Sequence, residues 1–107
     1  MEIIFHAHHA VISDRMRTRA ERAVRGAAKR FALAHDAVVR FEGDGPQRRV
    51  EVLLHATGGR RIVAEGFGRY YGPALAQAVT KLKNQAAALK RTRRERARRL
   101  ARRLVEA

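Results

Sequence analysis

The sequence predicts an α+β fold: a two-layer sandwich of order β-α-β-β-β-α, with a four-stranded mixed sheet carrying two helices on one face and leaving the other face to solvent. Three observations predict it. Two long stretches repeat apolar residues every three to four positions, the signature of one buried helix face. Short runs rich in β-branched and aromatic residues precede, separate and connect those stretches. Glycine clusters break the central runs where hairpin turns are needed.

Residues 2–7 (Glu-Ile-Ile-Phe-His-Ala) form the first expected strand. Ser13 or Asp14 then offers an N-cap, and Met16, Ala20, Ala23, Val24, Ala27 and Phe31 follow at helical spacing. The other faces of that helix carry Arg15, Arg17, Arg19, Arg22, Arg25, Lys29 and Arg30, opposed by only Asp14 and Glu21. Gly26 inside the helix costs about 1 kcal/mol relative to alanine and suggests fraying or close packing. Residues 37–42 read as a second strand, ended by Gly43-Asp44-Gly45-Pro46. Residues 48–56 alternate, with Val50, Val52, Leu54 and Ala56 on one face and Arg49, Glu51 and His55 on the other, where Leu53 is an exception. Gly58-Gly59 supplies a tight turn into a fourth strand over 60–67. Gly72-Pro73 opens a second helix, whose buried stripe is Leu75, Val79, Leu82, Ala86 and Leu89.

The chain has 107 residues, which suggests a single domain with one modest core, and much of its apolar content is alanine. Twenty-four lysines and arginines face ten acidic residues, a formal charge of +14. Such a charge repels itself unless a polyanion neutralises it, which points to nucleic acid, an anionic membrane or an acidic protein. Residues 90–106 hold nine basic and two acidic side chains, so half of the net charge lies in the last sixth of the chain. We therefore divide the chain into a body over 1–90 and a basic helical extension over 91–107 that leaves the body and completes its ordering on a partner. The extension lacks the aromatic residues of a membrane-surface helix, and no stretch approaches the length of a membrane span. The absence of cysteine excludes a disulfide framework and thiolate metal sites and fits a reducing, cytoplasmic setting.

Histidines cluster at His6, His8 and His9, but no metal spacing joins them to His35, His55 or a carboxylate, so neither a metal nor another cofactor is expected. Ser13 has no histidine at a spacing that would make it a nucleophile, and Gly66-Phe67-Gly68 lacks the lysine of a phosphate loop. The chain is not read as an enzyme. The one-signed arginine surface is the feature that needs a partner, because each phosphate contact releases counterions and adds affinity.

Residues 8–17 (His-His-Ala-Val-Ile-Ser-Asp-Arg-Met-Arg) resemble the opening of the ribosome hibernation promoting factors, also called ribosome-associated inhibitors or sigma-54 modulation proteins, in their short form. The strand end, the Ile12-Ser13-Asp14 cap and Met16-Arg17 occupy the places of that family's pattern, and Arg22, Lys29 and Phe31 match positions further along the helix. The similarity continues through Glu51-Val-Leu-Leu-His55, the Gly58-Gly59 turn, Ile62-Val-Ala64, and Lys81-Leu82 with Gln85 and Lys90. Two places depart from the family: Arg69-Tyr70-Tyr71-Gly72-Pro73 lacks the acidic residue usual before the second helix, and the tail is arginine-rich. The resemblance implies binding to the small ribosomal subunit and its ribosomal RNA in the channel of mRNA and tRNA, blocking translation in starvation or stationary phase. It implies phosphate contacts at Arg22, Lys29, Lys81 and Lys90. Periodicity adds Arg17, Arg25, Arg30 and Lys83, and Arg91 and Arg94 carry the expectation into the extension. The alternatives are a double-stranded-RNA-binding domain, which would want a lysine pair where Gly72-Pro73-Ala74 stands, and a basic structural component of the ribosome or nucleoid.

Overall fold

The structure is a computed structural model that describes residues 1–31 and 34–106; residue 107 of the expected extension lies outside the described residues. Its elements are β1 (Glu2–His8), α1 (Asp14–Lys29), β2 (Ala34–Asp44), β3 (Gln47–Ala56), β4 (Arg61–Gly68) and α2 (Tyr71–Glu106). The strands lie in the order β1-β2-β3-β4, with β1 parallel to β2 and the other two pairings antiparallel. A parallel pair needs a crossover, and α1 supplies it. The two antiparallel pairs need only turns.

Alternation sorts the sheet into two faces. Ala37, Val39, Phe41, Val50, Val52, Leu54, Ile62 and Ala64 are buried beneath the helices. They meet Ala20, Val24, Ala27 and Phe31 of the α1 segment and Leu75, Ala78, Val79, Leu82 and Ala86 of α2. Small side chains let backbones approach. At Gly66 a Cβ would lie 2.0 Å from the carbonyl oxygen of Ala74 and 2.7 Å from the amide of Ala78, so α2 rests directly on β4 there. Gly66 is thus a packing glycine and not part of a phosphate loop.

On the open face the register aligns rows across all four strands. Ile4, Val38, Leu53 and Val63 form one apolar row, which explains why Leu53 breaks the alternation of β3: it is paired with its cross-strand neighbours. Neighbouring rows hold His6, Arg40, Glu51 and Glu65, then His8, Glu42, Arg49 and Phe67.

Helix α1 begins as the sequence suggests. The Ser13 side chain accepts a hydrogen bond from the Met16 amide at 3.1 Å, with Asp14 in the first turn and Lys29 in the last. Strand β2 is longer than the run 37–42, because Gly43 and Asp44 still pair with β3 and only Gly45-Pro46 turns. The loop after β3 spans residues 57–60 and is closed by the Ala56 amide on the Arg60 carbonyl, with Gly58 and Gly59 at φ of 82° and 74°. Helix α2 starts at Tyr71, so Pro73 is its third residue, still within the turn whose amides have no helical acceptor. The helix passes residue 90 without a break. Beyond the half-buried Leu89, every side chain to Glu106 is exposed.

Candidate nucleic-acid interface

The outer surface of α1 is polarised. Arg15, Arg19, Arg22, Lys29 and the capping Arg30 recur at spacings that place them on one exposed stripe, with no acidic residue among them. Arg15, Thr18, Arg19, Arg22 and Ala23 line a shallow depression at its first half. The Arg19 guanidinium reaches α2, since a Cβ at Gly72 would lie 3.1 Å from its Nη1.

The opposite flank of α1 is different. Arg25 donates to Glu21 at 3.0 and 3.1 Å and to the Met1 carbonyl at 2.7 Å. Arg17 lies over the Phe5 ring, 5.5 Å from its centroid. Both were expected phosphate contacts. The structure instead sets them on the β1 side, apart from the stripe, with Arg25 already paired to a carboxylate.

The second half of the stripe faces the place where α2 leaves the body. Lys29, Arg30, Phe31, Lys90, Arg93, Arg94 and Ala97 line a cleft of about 390 Å³ there. It gathers five cationic side chains, and none has a carboxylate partner among the described residues. Four were expected from sequence. Arg93 was not: it breaks the apolar stripe of α2 because this part of the helix no longer touches the sheet and faces the end of α1 instead. Arg15 and Arg19 also share the stripe and were not expected among the contacts, although their spacing with Arg22 was visible.

Lys83 shares a helical row with Lys90 and Arg94, on the side of α2 toward α1, and is half-buried. Lys81 lies elsewhere. It sits between Gln77 and Gln85, whose side chains satisfy the outer edge of β4: the Gln77 carbonyl accepts from the Phe67 amide at 2.8 Å, and the Gln85 amide donates to the Val63 carbonyl at 2.9 Å. Arg91 is exposed on α2, one turn ahead of Arg94, and does not line the cleft.

The open sheet face is electrostatically self-contained. Five of the ten carboxylates lie on it, those of Glu2, Asp36, Glu42, Glu51 and Glu65. Arg49 bonds Glu42 at 3.0 Å, Glu51 at 2.5 Å and Glu65 at 2.6 Å, and these acceptors, Glu65 foremost, hold its guanidinium charged more firmly than usual. The Asp36 carboxyl lies between His55 Nδ1 at 2.5 Å and His35 Nδ1 at 2.8 Å, and the His55 hydrogen bond does most to draw it below its ordinary value. No group of three or more histidine or acidic side chains among the described residues is placed to hold a metal ion. No described helix is long and apolar enough to cross a membrane.

This arrangement, a basic helix layer over a charge-balanced sheet, occurs in a chain whose residues 3–94 match the model of the family described as sigma 54 modulation protein / S30EA ribosomal protein. The chain belongs to that family. The S30EA family is one of ribosome-associated factors, and it is not known as a family of enzymes. The fold agrees. A ribosomal subunit interface protein from Coxiella burnetii superposes with a TM-score of 0.78 at 17% identity, over 84% of this chain and 98% of that one. The N-terminal domain of Thermus thermophilus Protein Y superposes with a TM-score of 0.71 at 21% identity, over 83% and 99% respectively. No curated protein matches the chain. The S30EA match ends at residue 94, so it takes in the cleft residues Lys29, Arg30, Lys90, Arg93 and Arg94 and leaves most of the arginine-rich end of α2 outside it.

Proposed function

We propose that this protein binds ribosomal RNA of the small subunit through its helix layer and occupies the channel used by mRNA and tRNA, holding idle ribosomes inactive in the cytoplasm when growth stops. The observation that carries this reading is the carboxylate-free cationic surface running from Arg15 to Arg30 along α1 and across the cleft to Lys90, Arg93 and Arg94. Unpaired cations on a rigid scaffold are what phosphate binding requires, because no internal ion pair has to break first. The body, 1–90, supplies the folded obstacle, and 91–107 adds a helical arm of further arginines.

The test compares the protein's affinity for purified small subunits with its affinity for a plain RNA duplex at matched salt. Tighter binding to the subunit is expected, together with inhibition of a translating extract. Substituting Arg22, Lys29 or Lys90 by alanine should weaken subunit binding and lower its salt slope by about one unit per residue. Equal affinity for the duplex, or undiminished translation at saturating protein, would overturn the reading.

A further inference from the structure

Helix α1 contains one glycine, Gly26, and no described residue outside its own helix packs against it. Glycines inside helices normally answer to a positive φ, a helix end or a close neighbour. Gly26 has none of these. The described residues with positive φ are His9, Gly45, Gly58 and Gly59, and Gly26 lies within the helix, ahead of Lys29. Apart from the backbone of its own helix, a Cβ built on it would meet no atom of the described residues within 4 Å, in contrast to Gly66, where the backbone of α2 fills the space. The missing side chain weakens the folding equilibrium by about fivefold relative to alanine, from helix propensity alone.

Its position supplies a reason outside the chain. Arg15, Arg19, Arg22, Gly26, Lys29 and Arg30 form one exposed helical stripe, and Gly26 is its only residue without a charge. Arg22 stands one turn before it, and Lys29 and Arg30 one turn after. The two basic depressions, one holding Arg22 and the other Lys29 and Arg30, lie on either side of it. A strand that fills both passes over Gly26.

We propose that Gly26 is where the sugar–phosphate backbone of bound RNA passes closest to α1, its bare main chain letting the strand settle between the cations on either side. This rests on the reading of the helix layer as the RNA face. Close approach of a ligand's backbone is one of the few uses of a glycine whose own neighbourhood is empty.

The experiment measures small-subunit affinity and urea stability for the full-length Gly26→Ala and Gly26→Leu variants beside Arg22→Ala and Lys29→Ala. Both Gly26 variants should be more stable than the native chain, so loss of fold cannot mimic the result. Affinity should fall with side-chain size, severalfold for alanine and at least tenfold for leucine. Native affinity in both Gly26 variants, or equal losses regardless of size, would overturn the proposal. If Arg22→Ala and Lys29→Ala still lose affinity in that case, the RNA-face reading stands without it. Unchanged affinity in all four variants would remove both.

Discussion

Deleting residues 91–107 is the sharpest test of whether the end of α2 is an RNA-binding arm. The deletion removes eight arginines and two glutamates. All side chains described in that segment are exposed, so no core packing is lost and the melting temperature of the remaining body should stay close to that of the whole chain. The helix spreads its arginines around its axis, and a strand lying along one side meets only some of them. Arg91, Arg94, Arg98 and Arg102 recur at spacings of three and four and form one such row. Four phosphate contacts contribute about 3 to 4 units to the slope of log affinity against log salt. Over the fourfold interval from 50 to 200 mM, the truncated protein should therefore lose roughly a hundredfold less affinity than the whole chain. Fluorescence anisotropy with labelled small subunits across a salt series measures both slopes. A slope that changes by less than one unit would refute the arm and leave the tail a bystander.

Three further predictions concern the body. Gly66→Ala should destabilise the fold by about 3 kcal/mol or more in urea titrations, because the added methyl meets main-chain atoms of Ala74 and Ala78 that cannot rotate aside; a loss under 1 kcal/mol would mean that α2 shifts freely on β4. Arg49→Met should cost about 1–2 kcal/mol in urea titrations at neutral pH, because Glu42 and Glu65 lose their arginine and Glu51 keeps only Arg40, 3.7 Å away; an unchanged stability would mean that the cluster contributes nothing. RNA affinity should not fall with it, since Arg49 lies on the face away from the helices. Asp36 is held below its ordinary value of 3.8, so its contribution to stability is present above that pH and is lost as pH falls through the depressed folded value. Asp36→Asn should accordingly flatten the acid limb of the thermal stability profile below about pH 4; a limb identical to that of the native chain would argue against the His35–Asp36–His55 bridge.

The fold was legible in the sequence because its two periods are clean. Val50, Val52, Leu54 and Ala56 alternate, Leu75, Val79, Leu82, Ala86 and Leu89 keep helical spacing, and the Ser13 cap and glycine turns mark boundaries to within a few residues. The candidate site was legible only in part. Charge excess does not say which cations are free, and that is settled by neighbours. For Arg25 the signal was present, since Glu21 precedes it by four residues, the spacing of a helical ion pair. For Arg17 it was not: its ring partner Phe5 lies on another element. Arg93 looked like an interruption of a buried stripe, and only the docking of the α2 exit against the end of α1 turns that interruption into one wall of a cleft. Gly66 and Gly26 show the same limit in opposite directions. Neither can be assigned a role without knowing what stands beside it, and the structure puts backbone against one and open space against the other.

The distribution of carboxylates bears on orientation. A uniformly cationic shell of +14 would hold a polyanion equally well from any side, and the protein would bind without being placed. Here five of the ten acids sit on the open sheet face, where Glu42, Glu51 and Glu65 consume the charge of Arg49, and Arg40 lies 3.7 Å from Glu51. That face offers little net charge to a phosphate backbone, whereas the α1 stripe and the cleft beside α2 offer unpaired cations. The resulting asymmetry turns a non-directional attraction into a torque: approach to a polyanion is more favourable with the helices leading than with the sheet leading. Surplus charge supplies affinity and association rate, and the sheet-face ion pairs, which add nothing to affinity, determine which side of the molecule uses it.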